Sequence, residues 1–304
     1  MSALSQENLF VNPPQRILAV TDLSAPALQA VERAASLAKT LGTAFELLHV
    51  FHTTPLKQLR QLMMESAAEM EHKMLEAARQ KLDELAAMLH ERYQIPVDTR
   101  LVAGALLQEL VAEANRLPDS LVVCSVRGER FMRQQLLGST AERLLNLSTN
   151  PVLATKQVPH EPYRSVLVAV DFSETSVPTI RCAQAIAPDA ALTLMHVIEV
   201  PFERQLYYAS VGEALIKRYR SLSRQEAMRR LESLVIKAGL ERNAVQLVVS
   251  TGDPSMRILE QEQEHQCDLL TLGRHGDNAI ETLLLGSVVR PVLSKSQCDV
   301  LISV

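Results

Sequence analysis

The amino-acid sequence predicts two tandem α/β domains, each a doubly wound parallel sheet flanked by helices. Three observations support this prediction. The chain has 304 residues, which suits two domains of about 150 residues. The sequence repeats itself at an offset of 147 to 149 residues. Apolar, β-branched segments alternate with helical patterns in both halves, which is typical of parallel sheets buried on both faces.

The repeat runs along the whole chain. The matched pairs, in order, are Ile17–Ser24 with Val166–Ser173, Glu46–Phe51 with Thr193–Ile198, Arg100–Val111 with Val248–Leu259, and Asn150–Thr155 with Cys298–Ser303. Because solenoid repeats are much shorter, this is a duplicated domain. The predicted domains are residues 1–156 and 163–304. The proline-containing segment Lys156–Tyr163 is the expected linker.

Each half contains the same series of predicted elements. The first strand is followed by a helix, for which Ser24 is the expected N-cap and Gly42 the expected end in the first half. The matching helix is expected to run from Ser173 to Pro188. The remaining elements are second strands at Phe45–Val50 and Leu192–Val197, long helices at Leu56–Tyr93 and Glu203–Ala238, helices after Gly104 and Gly252, and fourth strands at Leu121–Cys124 and Leu269–Leu272. A glycine-containing loop, a helix and a strand complete each half.

Composition argues against several classes of function. The net charge of −4 gives no basic patch for nucleic acid. No segment approaches the roughly 18 apolar residues that span a bilayer, and the N-terminal segment does not resemble a signal peptide. The cysteines form no CxxC pair. We therefore expect a cytoplasmic protein with no nucleic-acid or membrane partner.

A glycine motif occurs in both halves. Residues Gly273–Ser287 form G-x2-G-x9-G-S, and residues Ser125–Ser139 repeat the pattern with serine in the first position. Glycine accepts positive φ, so a strand that ends in glycine can turn sharply, and two such glycines can direct successive N–H groups toward an anion. Gly286 and Ser287 would stand near a helix start that favours phosphate. The alternative is that these glycines serve only turns and packing.

The two copies are not equivalent. We expect positive φ at the first position, where the Cβ of Ser125 costs roughly 1 kcal/mol or more and also narrows the pocket. The second half is therefore the stronger candidate for phosphate binding. In doubly wound sheets, ligands bind beyond the carboxyl ends of the strands. Asp171, Val197 and Gly273 all stand at such ends, so we expect them to converge.

On these motifs the chain resembles a tandem bacterial universal stress protein over essentially its whole length. The motif G-x2-G-x9-G-[ST] is that family's ATP-binding signature, and strands that end in V-D-x-S and L-x-H-V are its hallmarks. The resemblance implies two Rossmann-like domains packed as a pseudo-dimer. Pro151–Thr155 and Val300–Val304 would then lie near the pseudo-twofold axis.

The resemblance also implies ATP, with or without Mg²⁺, as the ligand of the second domain. Ala169, Val170 and Asp171 would flank the adenosine and Val197 would line the adenine pocket. The ribose and phosphates would be held by Gly273, Gly276, Gly286, Ser287 and Val288. The matching candidates in the first domain are Asp22, Val50, Gly128, Gly138 and Ser139. Asp277 departs from the family pattern and should weaken binding unless Mg²⁺ or Arg274 screens its charge.

No catalytic or metal-ligating residue is predicted. The sequence contains no P-loop, HExxH or GxSxG motif, and His49 and His196 are interpreted as hydrogen-bonded core residues. We therefore expect a regulator or sensor in a stress response, with slow ATP hydrolysis or phosphorylation of Ser287 left open. The alternatives are a nucleotide-free scaffold for a protein partner and binding of an apolar ligand. In either case the chain could form a homodimer. The apolar-ligand alternative rests on a methionine face formed by Met63, Met64, Met70, Met74 and Met88.

Overall fold

The computed structural model describes residues 13–53, 66–126, 138–158, 162–198, 213–274 and 285–304. The chain divides into two compact units, Met1–Pro162 and Tyr163–Val304. Each unit is an α/β domain, and each has its own buried core of Leu, Val, Ile and Ala side chains.

The first unit contains five parallel strands in the order β3-β2-β1-β4-β5. The strands are β1 (Arg16–Thr21), β2 (Ala44–His52), β3 (Asp98–Gly104), β4 (Ser120–Ser125) and β5 (Val152–Thr155). The helices are α1 (Ala25–Leu41), α2 (Ser66–Tyr93), α3 (Leu106–Ala114) and α4 (Ser139–Leu147). The strand order reverses direction at β1, which confirms the predicted doubly wound sheet.

The second unit repeats this topology, with parallel strands in the order β10-β9-β6-β7-β8. The strands are β6 (Ser165–Ala169), β7 (Ala191–Ile198), β8 (Val245–Thr251), β9 (Leu269–Gly273) and β10 (Asp299–Ser303). The helices are α5 (Ser176–Ile186), α6 (Glu213–Ala238), α7 (Pro254–Glu264) and α8 (Val289–Lys295), with a 3-10 turn at Arg242–Ala244.

The predicted ends of α1 are confirmed. The Ser24 hydroxyl accepts a hydrogen bond from the Ala27 N–H at 3.4 Å, and Gly42 closes the helix with φ 66°. The matching prediction for α5 is wrong at its start, because that helix begins at Ser176 and not after Ser173. Pro178 explains the difference. In a helix that began at Ser173, the proline ring would clash with the carbonyl four residues earlier, whereas at the third helical position it is tolerated.

Of the methionines predicted to form an apolar face on α2, Met88 is half-buried, but the prediction is wrong for Met70 and Met74. Met70 and Met74 are 39% and 43% exposed, and Met63 and Met64 lie outside the described residues. The buried face of the helix is instead formed by small and branched residues at helical spacing, namely Ala78, Leu82, Ala86 and Leu89. Methionines three or four residues apart fall beside this stripe and not on it. In the part of the chain that the structure describes, no helix is long and apolar enough to cross a membrane.

Candidate functional site

A cavity of about 480 Å³ lies at the carboxyl ends of β6, β7 and β9 in the second unit. This volume is in the range of small-molecule sites. The strand order of the second unit reverses at β6, so the cavity occupies the switch point at which ligands bind in doubly wound sheets. The cavity therefore lies at the carboxyl ends of the strands, where the sequence predicts a ligand site.

Eight of the nine residues predicted for the second domain line this cavity. They are Ala169, Val170, Asp171, Val197, Gly273, Gly286, Ser287 and Val288. The ninth, Gly276, lies outside the described residues, as does Gly128 of the first domain. The other first-domain candidates hold the equivalent places: Asp22 follows β1, Val50 lies in β2, and Gly138 precedes Ser139 at the start of α4.

The carboxylate of Asp171 is fixed at the edge of the cavity. Its Oδ1 atom accepts hydrogen bonds from the Ser173 N–H at 3.0 Å, the Ser173 hydroxyl at 2.6 Å and the Ser176 hydroxyl at 3.2 Å. Phe172, between Asp171 and Ser173, adopts φ 68°, a conformation that is uncommon for residues other than glycine. These bonds hold the strained turn and keep the carboxylate in place.

The first unit contains the same turn. Leu23 adopts φ 64°, and Asp22 Oδ1 accepts hydrogen bonds from the N–H of Ser24 at 3.0 Å and from its hydroxyl. The turn is therefore a property of the shared D-x-S sequence and does not distinguish the two units.

His196 forms part of the cavity wall and is backed by an aromatic stack. Its Nδ1 atom lies 2.8 Å from the carbonyl oxygen of Val170. The Phe172 ring packs against the imidazole with ring centroids 4.1 Å apart. Arg230, a residue of α6, places its guanidinium 4.1 Å from the centroid of the Phe172 ring. Burial lowers the pKa of His196; the hydrogen bond to Val170 opposes this shift, Arg230 reinforces it, and Asp171 opposes it. At this part of the wall, the cavity therefore meets a neutral imidazole near pH 7.

The hydrogen-bonded role predicted for both histidines agrees with this geometry, since His49 Nδ1 lies 2.8 Å from the Thr21 carbonyl oxygen. The position of His196 on the cavity wall was missed. The signal for it was available, because the L-x-H-V segment places the histidine directly before Val197, which was assigned to the site.

Three hydroxyl side chains at the start of α5 also line the cavity and were missed, namely Thr175, Ser176 and Thr179. The Ser176 hydroxyl donates to Asp171, and the Thr179 hydroxyl donates to the Thr175 carbonyl oxygen at 2.8 Å. At the 149-residue offset the first half has Pro26, Ala27 and Ala30. The presence of three hydroxyl residues in the second half, where the first half has none, was the sequence signal that could have identified them.

The expected positive φ at the first position of the glycine motif is wrong. Gly273 is the last residue of β9 and Ser125 the last residue of β4, so both have extended backbone. Ser125 consequently carries none of the predicted backbone strain. A Cβ at this position can still narrow the space in front of the strand, but it does not disfavour the turn.

Gly286 is the position where the absence of a side chain matters. Its N–H donates to the Arg274 carbonyl oxygen at 3.3 Å, and a Cβ added to it would lie 3.3 Å from that same oxygen. Gly138 repeats the arrangement, with its N–H 3.1 Å from the Val126 carbonyl oxygen and an added Cβ at 3.4 Å. The last glycine of each motif, Gly286 or Gly138, therefore brings the loop back against the end of the strand.

The cavity lining carries charges of both signs. Among the described lining residues, the charged side chains at neutral pH are those of Asp171 and Arg274. Burial lowers the pKa of Arg274, but a guanidinium remains protonated in proteins. The lining also includes the apolar side chains of Val170, Val197, Ile258, Leu272 and Val289. This arrangement suits a ligand with a flat apolar body and an anionic group.

The first unit differs in charge at the matching positions. Val126 stands where the second unit has Arg274, and Glu109 stands where it has Arg257. A Cβ added to Gly104 would lie 2.6 Å from the Glu109 carboxylate, so this side chain folds over the end of β3. The equivalent Gly252 has the Arg257 guanidinium 3.0 Å from an added Cβ. A carboxylate thus replaces a cation beside the first unit's strand ends, which disfavours an anionic ligand there.

Comparison with known proteins gives one consistent result. The model of the universal stress protein family matches residues 14–156 and again residues 162–303. Universal stress protein Sll1388 from Synechocystis sp. is 30% identical over 149 residues, which is 46% of this chain and 97% of that protein. Universal stress protein A homolog 2 from Coxiella burnetii is 30% identical over 142 residues, 46% of this chain and 93% of that protein. The crystal structure of a universal stress protein from Archaeoglobus fulgidus aligns over 95% of this chain and 98% of its own, with TM-score 0.70 and 22% identity.

Proposed function

Since this chain belongs to the universal stress protein family, with one domain of that family in each half, we propose that it binds an adenine nucleotide in the cavity of its second domain. The observation that carries this proposal is the cavity itself, which gathers eight residues chosen from sequence motifs far apart in the chain. ATP is the nucleotide that the glycine motif favours. Mg²⁺, where present, would arrive coordinated by the nucleotide's phosphates, as is usual for this ion.

The chemistry of the cavity supports this ligand. Val170 and Val197 offer an apolar surface to the base. Arg274, Gly286 and Ser287 line the same cavity, and the Gly286 N–H lies 3.3 Å from the Arg274 carbonyl oxygen. Hydrogen bonds to charged groups contribute about 1.5–3 kcal/mol each. Four or five of them, less the entropy lost on binding, would reach the roughly 8 kcal/mol of micromolar affinity.

The biological role we propose is that of a cytoplasmic regulator in a stress response, with nucleotide occupancy as the signal to a protein partner. The first domain keeps the fold but has Val126 and Glu109 in place of two cations, so we expect its nucleotide affinity to be much lower. Pairing of the two domains through their last strands, and of whole chains as homodimers, stay predictions.

Isothermal titration of the full-length protein with ATP tests the proposal. We expect micromolar binding at one site per chain. Gly286→Val should weaken it, because the added Cβ lies 3.3 Å from the Arg274 carbonyl oxygen and the loop beside the cavity must shift to accept it. Gly138→Val is the matched control, because it places the same side chain 3.4 Å from the equivalent carbonyl oxygen in the first domain and should leave ATP affinity unchanged.

Two outcomes would reject the proposal. One is the absence of binding by the wild-type protein. The other is equal ATP affinity in the wild type and in a folded Gly286→Val variant, with folding judged by circular dichroism and thermal melting.

A further inference from the structure

We propose that Arg274 is the specificity residue of the cavity: its guanidinium contacts the phosphate attached to the ribose and makes the site select nucleoside phosphates over nucleosides. This inference rests on the proposed function and deepens it. The juxtaposition that carries it is a basic side chain, held within the glycine motif, on the wall of a cavity whose other charged group is a carboxylate.

The backbone of Arg274 is fixed on both sides. Its N–H donates to the Ser303 carbonyl oxygen at 2.9 Å, at the end of β10, and its carbonyl oxygen accepts from the Gly286 N–H at 3.3 Å. The side chain therefore starts from a point held between the sheet and the glycine loop. Because it lines the cavity together with Gly286 and Ser287, it belongs to the part of the site that the glycine motif assigns to phosphate.

The charge distribution orients the ligand. In the parallel pair of β6 and β9, Ala169 is paired with Leu272, and Asp171 and Arg274 each follow two residues later. Neighbouring strands lie about 4.8 Å apart, so the two residues leave adjacent strands at the same edge of the sheet. Asp171 would repel a phosphate and accept hydrogen bonds from ribose or base donors. The phosphate is thereby directed to Arg274, whose partial burial strengthens the interaction.

The first domain shows that the fold does not need this guanidinium. Val126 occupies the equivalent place, and its carbonyl oxygen accepts from the Gly138 N–H at 3.1 Å, as Arg274 does from Gly286. A valine therefore supports the same backbone arrangement. The charge and length of Arg274 are additions of the second domain, at the point where an anionic ligand would need a cation.

The experiment compares AMP with adenosine, which differ by one phosphate, in titrations of the full-length wild type, Arg274→Met and Arg290→Met. Arg290 is the matched control, because it is exposed at the second position of α8 and does not belong to the cavity lining. In Arg274→Met we expect AMP affinity to fall by about 10- to 150-fold, the equivalent of the hydrogen bonds lost to a charged group. Adenosine affinity should stay within about twofold, and Arg290→Met should change AMP affinity by less than about threefold.

The outcomes separate this inference from the proposed function. Equal losses of AMP affinity in both arginine variants would show a long-range effect of charge and overturn the role of Arg274. Parallel losses for AMP and adenosine in Arg274→Met would show a packing role and overturn it as well. Unchanged ATP and AMP affinity in Arg274→Met would overturn this inference and leave the proposed function intact. Absence of adenine nucleotide binding in the wild type would remove both.

Discussion

The imidazole of His196 joins β7 to the end of β6 through a hydrogen bond from Nδ1 to the carbonyl oxygen of Val170, 2.8 Å away. Because a carbonyl oxygen can only accept, Nδ1 carries the proton in this bond. The ring is thus held against Phe172, and one face of the cavity is fixed by a bond between neighbouring strands. The same pairing of His49 with Thr21 in the first domain shows that this bond is part of the duplicated fold.

The first prediction concerns the pH dependence of stability. Burial lowers the pKa of His196 in the folded protein, so the unfolded chain binds the proton more readily. The free energy of unfolding of the second domain should therefore be fully maintained above the ordinary histidine pKa of about 6.5 and should fall as the pH decreases below it, by up to about 1.4 kcal/mol per pH unit.

Denaturant titrations between pH 7.5 and 5, at about half-unit steps, measure this slope. His196→Gln should flatten it, because the titrating group is gone. His72→Gln is the control, since its side chain is 72% exposed and its removal should leave the slope unchanged. A slope that is the same in the wild type and in His196→Gln would contradict the assignment.

The second prediction concerns an ionic network in the first domain. Glu46 is buried and receives hydrogen bonds from Arg16 and from the Arg116 Nη2 atom, the latter at 2.7 and 2.8 Å. Arg116 also donates to Glu113 at 2.9 Å. Removal of one partner leaves a buried charge uncompensated, so we expect Glu46→Gln to destabilise the first domain by about 3–5 kcal/mol.

An exposed pair provides the comparison. Lys73 and Glu69 form an ion pair at 2.8 Å on α2 with side chains 71% and 75% exposed, so Glu69→Gln should change the free energy of unfolding by less than about 0.5 kcal/mol. Chemical denaturation followed by circular dichroism measures both variants. Similar small effects in the two variants would show that the buried network contributes little.

The third prediction concerns the turn before β10. The Oε1 atom of Glu262 accepts hydrogen bonds from the Ser296 hydroxyl at 3.1 Å, the Gln297 N–H at 2.6 Å and the Cys298 N–H at 2.8 Å. Glu262→Ala removes the acceptor of all three donors. Because an unsatisfied buried group costs about 1–3 kcal/mol, we expect a loss of at least about 2 kcal/mol in the stability of the second domain.

The first domain suggests how to reverse this loss. There Ala114 replaces the glutamate, and the matching N–H groups have other acceptors: the Thr149 N–H donates to Asn115 Oδ1 at 2.8 Å and the Asn150 N–H to the Ser148 hydroxyl at 3.1 Å. Adding Gln263→Asn to Glu262→Ala places the counterpart of the Asn115 acceptor in the second domain and should recover roughly half of the lost stability in thermal melts. A Glu262→Ala single variant as stable as the wild type would refute the role of Glu262.

The strands and the topology could be predicted from sequence because their signals are local. A strand buried on both faces, such as Val166–Val170, is recognisable from its own residues, and the second copy of the domain confirms each assignment. The start of α5 was misplaced because Ser173 resembles an N-cap when considered alone. Its N–H and hydroxyl both donate to Asp171, and Pro178 sets the earliest point at which the helix can begin.

The site was predictable only where its residues belong to contiguous motifs. Asp171, Val197 and Gly273 end their strands, so topology alone brings them together. The hydroxyls of Ser176 and Thr179 line the cavity because one face of α5 is directed toward it. The packing of the helix determines which face this is, so the sequence alone does not reveal it. The expected positive φ at Gly273 was wrong because a glycine in a sequence does not reveal whether its position requires positive φ or only the absence of a side chain. At Gly286, the absence of a side chain is what the structure requires.

The last prediction concerns the four cysteines, which are all free and buried. Burial raises the pKa of both Cys124 and Cys182 to about 12, and it also raises the pKa of Cys267 and Cys298. The thiolate is the reactive form, and a thiol with a pKa of about 12 is deprotonated in only about one molecule in ten thousand at pH 8. The native protein should therefore react very slowly with an aromatic disulfide reagent at pH 8, at a rate set by unfolding.

In guanidinium chloride the same reagent should react with all four thiols within minutes, which calibrates the native measurement. In a variant that unfolds more readily, such as Glu262→Ala, Cys267 and Cys298 should react faster than in the wild type. The reaction rate of Cys124 should stay unchanged, because destabilisation is confined to the second domain. Rapid stoichiometric reaction of any thiol in the native wild type would contradict the burial of that side chain.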